Sequence, residues 1–100
     1  MIYAFVRRDL PHPHRVVQVG HAVIESIKNF SYQGEHPYLI VFGCKTEKSL
    51  VNALDNLREA GIMVVEFREP DRDNELTAFA TASMPRTEDK RFKKYQLLKE

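Results

Sequence analysis

The chain is short of several things, and each shortage excludes a class of protein. There is one cysteine in 100 residues, Cys44. An internal disulfide is therefore impossible, and the cysteine usage fits a reducing, cytoplasmic compartment. Apolar runs are brief. The longest, at 2–6 and 38–42, fall far below the length that spans a bilayer. The first run leads straight into Arg7, Arg8 and Asp9, unlike a secretory leader, so the expectation is a cytoplasmic protein without a membrane partner. No His-x-x-x-His or Cys-x-x-Cys spacing occurs among His12, His14, His21, His36 and Cys44, which argues against a metal site. No internal repeat, low-complexity tract or linker is visible. Charge of one sign is also scarce overall: the formal net charge is +1, too small to draw the whole chain toward nucleic acid.

What is present suits one globular domain over 1–100, with 43% hydrophobic and 29% charged residues. Basic residues cluster twice, at Arg7, Arg8 and Arg15 beside His12 and His14, and again over 86–99. The terminal cluster reads more readily as an amphipathic cover than as an RNA surface.

The hydrophobic periodicity gives the elements. Residues 2–6 read as a buried strand, stopped by Pro11 and Pro13. Pro13 suits the first position of a helix. Val16, Val19, Val23, Ile27 and Phe30, widened by Ile24, make an apolar helical stripe; Gln18, His21, Ala22 and Glu25 make a second stripe. A loop is expected over 31–37 and a central strand over 38–42. Thr46 reads as the N-cap of a helix that turns Leu50, Ala53, Leu54 and Leu57 inward, with Gly61 past its end. A third strand is expected over 62–67, a polar loop over 68–75 and a fourth strand over 76–83. That strand would set Thr77, Phe79 and Thr81 on one face and Ala78, Ala80 and Ala82 on the other. The spacing predicts a last helix over 87–98 with Phe92, Tyr95 and Leu98 inward. The order β-α-β-α-β-β-α implies an α/β fold: a mixed four-stranded sheet with helices on both faces, a three-layer α/β/α arrangement.

The chemistry-bearing residues gather at the first strand-to-helix junction, where ligands bind in open α/β sheets. Arg7, Asp9 and Leu10 end the strand; Gln18, His21 and Ala22 follow on the helix. Order and spacing resemble the type II peptidyl-tRNA hydrolase family, which has Arg-x-Asp-Leu, a Gly/Lys-rich turn and Gln-x-x-His-Ala. The family's lysine four residues before the Gln is His14 here. The family's later motif, Asp-Ala-Gly-Arg-Thr-Gln and then Gly-Thr, is answered by Glu69, Asp71, Arg72, Asn74 and Thr77. The element order resembles the family along nearly the whole chain; the residue matches are confined to these few positions.

The resemblance implies the same three-layer fold, a site without cofactor or metal, tRNA as partner, a homodimer, and hydrolysis of the ester of peptidyl- or N-blocked aminoacyl-tRNA. By that correspondence the catalytic positions are His14, Glu69 and Thr77, with Asp71 as the other carboxylate that could orient the water, and the substrate-binding positions are Arg7, Asp9, Gln18, His21 and Arg72. Such hydrolysis needs a positioned water, a base and a group that stabilises the oxyanion. An imidazole in the lysine's place is a pH-dependent cation rather than a fixed one. The alternative is a non-catalytic domain of the same fold that binds RNA, a small ligand or a protein. The paired Thr/Phe and Ala faces of 76–83, one of them sparsely filled, offer the expected surface for a second copy.

Overall fold

The computed structural model of the chain describes residues 1–32, 37–85 and 90–99. In chain order it has β1 (Ile2–Arg7), α1 (His12–Phe30), β2 (Leu39–Cys44), α2 (Glu47–Glu59), β3 (Val64–Glu69) and β4 (Glu75–Thr81), with a 3-10 turn at Pro70–Arg72. The four strands form one mixed sheet in the order β2-β1-β4-β3. β1 and β2 are parallel neighbours joined through α1, whereas β4 runs antiparallel to both β1 and β3. None of the described helices is long and apolar enough to cross a membrane.

Alternation along β1 sends side chains to two cores. Tyr3 and Phe5 join Leu50, Ala53, Leu54 and Leu57 of α2, together with Phe42, Phe79 and Phe92. Phe5 stacks on Phe79 with ring centroids 4.5 Å apart. Ile2, Ala4 and Val6 face α1, where they meet Ala22, Ala78 and Ala80. Both faces of β1 are covered, so its whole length is buried.

α2 starts and stops as its sequence dictates. Ser49 N–H donates to Thr46 Oγ1 at 3.2 Å while Thr46 N–H donates to Ser49 Oγ at 2.9 Å, a reciprocal capping box. Gly61, with φ at +80°, ends it: Gly61 N–H reaches Arg58 O and Ile62 N–H reaches Leu57 O, both at 3.0 Å.

Three sequence expectations give way. The first concerns α1, whose buried residues are Gln18, Ala22 and Ser26. Val16, Ile24 and Ile27 of the expected inward stripe are 61%, 57% and 38% exposed, and only Val19 and Val23 pack against the core. The sheet beneath α1 presents alanines, so a small residue and hydrogen-bonding groups bring the helix close. Ser26 Oγ donates to Thr81 O at 2.7 Å across that interface.

The second concerns the chain's end. No α-helix occupies 90–99; 90–92 make one 3-10 turn and Leu97 bridges Phe42 in antiparallel fashion. Gly43 N–H donates to Gln96 O and Leu98 N–H to Val41 O, each at 2.9 Å. The open edge of β2 supplies backbone partners that override helical propensity. Phe92 still turns inward, 3.9 Å from the Tyr3 ring. The expected helix start at 87–89 lies outside the described residues, as does 33–36 of the expected 31–37 loop.

The third concerns β4. Its pairing with β3 shifts register between Phe67 and Arg68: Phe67 faces Ala78 and Arg68 faces Leu76, leaving Thr77 as the extra residue of a bulge. Thr77 therefore does not share Phe79's face; it turns toward α1. The alanine face that seemed sparsely filled is covered by α1, with Ala78 and Ala80 wholly buried. It offers no surface to a second copy.

Candidate functional site

The bulge aims the Thr77 hydroxyl at Gln18. Thr77 Oγ1 donates to Gln18 Oε1 at 2.8 Å, and Gln18 Nε2 donates to Glu69 Oε1 at 3.4 Å. Thr77 is fully buried and Gln18 nearly so. The amide is thus fixed between a buried hydroxyl below and a carboxylate at the rim. Above it opens a cleft of about 370 Å³ lined by Leu10, His14, Val17, Gln18, Glu69, Asp71 and Arg72.

The β3–β4 connection shapes the cleft's far wall. Pro70 opens the 3-10 turn, and Asp73 and Asn74 adopt left-handed φ values of 55° and 60°, which Asp and Asn tolerate better than most residues. Asn74 N–H closes the turn on Glu69 O at 3.0 Å. Arg72 Nε lies 3.4 Å from Glu75 Oε1, an ion pair without hydrogen-bond geometry, so its donor is not consumed.

Beneath the β1–α1 loop, Arg7 is spent on structure. Its Nε and Nη2 bind Asp9 Oδ1 and Oδ2, each at 2.9 Å, and Nη1 binds Glu75 Oε1 at 2.7 Å. The hydrogen bonds to Asp9 raise the Arg7 pKa against the opposing effect of burial. The same guanidinium holds the Asp9 and Glu75 carboxyls below the usual carboxylate range. This bidentate pair pins the loop leaving β1.

Of the residues expected to form a site, His14, Gln18, Glu69, Asp71 and Arg72 line one cleft, and Thr77 touches it through Gln18. Arg7 and Asp9 do not line it; they are bound to each other where the loop leaves β1. His21 stands one helical turn beyond Gln18, stacked on Phe67 at 4.6 Å between ring centroids. Sequence reasoning missed the apolar wall Val17 and named Leu10 only as part of the first motif, not as a wall. It also missed Glu75, whose role depends on the hairpin bringing it back to Arg7. Among the described residues no group of three His, Cys, Asp or Glu side chains is placed to hold a metal ion, and His36 lies outside them. Cys44 is buried, which pushes its thiol pKa up to about 11 and makes it a poor nucleophile.

The arrangement can do acid–base work. Two carboxylates, an imidazole and a guanidinium line one small cleft, so a water bound there would have a base and a cation within the same cleft. No family model matches the chain, and no curated protein matches it.

Proposed function

We propose that this cleft hydrolyses the ester between a peptide or N-blocked amino acid and the 3′ end of tRNA, in the manner of the type II peptidyl-tRNA hydrolases that the motifs resemble. One observation carries the reading: His14, Gln18, Glu69, Asp71 and Arg72, from two motifs about 50 residues apart in sequence, line the same cleft. Glu69 or Asp71 orients the attacking water and accepts its proton. Arg72, whose guanidinium lines the cleft, offsets charge on the oxyanion. His14 stands where the family keeps its lysine. Thr77 acts through Gln18 as a positioning residue, since its hydroxyl is enclosed. Arg7 and Asp9 hold the loop in register. On this reading the packing of a helix against each face of the sheet is the family's three-layer architecture, and the partners are tRNA and a second copy of the chain.

A second reading, a non-catalytic domain of the same fold that holds RNA, a small ligand or a protein, is favoured by the complete burial of Thr77, which no substrate reaches. Incubation of the purified chain with N-acetyl-aminoacyl-tRNA separates the two. The hydrolase reading expects release of the N-acetyl amino acid, reduced about 10²-fold or more by Glu69→Gln. Binding without release selects the second reading.

A further inference from the structure

A second cleft, of about 320 Å³, lies on the other side of the β1–α1 loop and is lined by Arg8, Asp9, Arg15, Lys45 and Lys99. It sits at the carboxyl ends of the two parallel strands: Arg7 and Cys44 are the last paired residues of β1 and β2, and Arg8 and Lys45 are the next in each strand's path. Among the described residues four cations here face one carboxylate, and that carboxylate, Asp9, is already bound on both oxygens by Arg7. In a chain of net charge +1 this is a marked local excess.

The cations are also prearranged. Arg15 Nε donates to Leu10 O at 2.7 Å and its Nη2 to Arg8 O at 2.6 Å, which fixes the guanidinium against the loop. The Arg8 stem lies along Gly43, where a β-carbon would come within 2.6 Å of its Cγ. Its Nε is enclosed and has no hydrogen-bond partner. Among the described residues none of these four cations forms an ion pair.

We propose that this cleft binds a backbone phosphate of the RNA strand whose 3′ ester lies in the neighbouring cleft, with Arg8 and Arg15 as the fixed donors and Lys45 and Lys99 as mobile point charges. The proposal rests on the hydrolase reading for the identity of the strand. The two clefts share the 8–10 loop, Leu10 lining one and Arg8 and Asp9 the other, so a nucleotide chain can cross the loop between them.

The test uses a fluorescein-labelled single-stranded RNA of about 12 nucleotides ending in CCA, with anisotropy read across salt concentrations. Binding should weaken with salt, with a slope in log–log form of about −0.7 per phosphate neutralised. Lys45→Gln combined with Lys99→Gln alters two exposed side chains and leaves the fold intact. It should weaken binding about tenfold and make the slope shallower by about 0.7 for each phosphate no longer neutralised. Arg8→Gln should weaken it as well. Wild-type protein that fails to bind the RNA, or a Lys45→Gln/Lys99→Gln variant that binds as wild type, overturns the proposal. So does inorganic phosphate that binds while the RNA does not, since the cleft then takes a free anion. If the variant loses RNA binding and wild type cleaves no ester, the phosphate site stands and the hydrolase reading falls. Cleavage by wild type with an unchanged KM in the variant leaves the hydrolase reading and removes this site.

Discussion

Thr77, at the bulge of β4, donates its buried hydroxyl to Gln18 of α1 at 2.8 Å, tying the strand that carries the second motif to the helix that carries the first. Thr77→Val keeps the shape and removes the donor, so Gln18 Oε1 is left unpaired in a buried place. The expected cost is about 1–3 kcal/mol in chemical denaturation, with Thr77→Ser close to wild type. If Gln18 positions Glu69 as proposed, Thr77→Val also lowers kcat while Thr77→Ser restores it. A Thr77→Val protein as stable as wild type would mean that the tether holds nothing in place.

His14 lines the cleft from the first turn of α1, in the place where the resembled family has lysine. Replacing it with lysine supplies a fixed cation. If a cation is what the transition state needs, His14→Lys should raise turnover of N-acetyl-aminoacyl-tRNA. Loss of turnover would instead assign the imidazole the role of base.

The Arg7 cluster makes stability depend on pH in a definite direction. The Asp9 and Glu75 carboxyls are held below their ordinary values, first by their hydrogen bonds to Arg7. A group whose folded pKa is depressed contributes stability above its unfolded pKa and loses it as pH falls through the folded value. Stability should therefore be level from neutrality down to about pH 4 as far as these groups decide it, then fall. Arg7→Met should flatten that acid limb and lower stability at pH 7, read as denaturation midpoints across pH. An acid limb unchanged in Arg7→Met would assign it to other carboxyls.

Cys44 ends β2 in the α2-side core, and burial raises its pKa to about 11. At pH 8 its reaction with a thiol reagent such as DTNB should be slow, and should become fast once the protein is unfolded in guanidinium. Rapid stoichiometric labelling of the folded chain would contradict that burial.

The outer face of α1 leaves Val16, Ile24 and Ile27 in solvent, and the covered alanine face of β4 is not available to a partner. If the chain pairs with itself as expected from the sequence, Ile24→Glu should dissociate the pair without unfolding the monomer, read by sedimentation at high micromolar concentration. A wild-type monomer under those conditions removes the homodimer.

Strands and helices with local signals were legible in the residues alone. The β-prone run at 2–6 could only be a covered strand. Thr46 and Gly61 bounded α2 through hydrogen bonds made within a few residues, and Pro70 with the polar run after it forced a turn. Which face of α1 lies inside was a matter for tertiary packing. Two stripes compete on that helix, and the alanines of the facing strands select neither whole: the inward face takes Gln18 and Ala22 from one, Val19 and Val23 from the other, and Ser26 from outside both. Packing also kept the terminal basic segment from forming a helix and set Leu97 in an isolated bridge to Phe42, because the partners of Gly43 and Val41 are invisible from residues 90–99. The bulge at Thr77 depends on the register between β3 and β4, which period-two alternation cannot reveal. Gln18, Glu69 and Thr77 could be named from spacing and resemblance. That they touch, and that Arg8, Arg15, Lys45 and Lys99 share a cleft, follows only from how the sheet brings distant segments together.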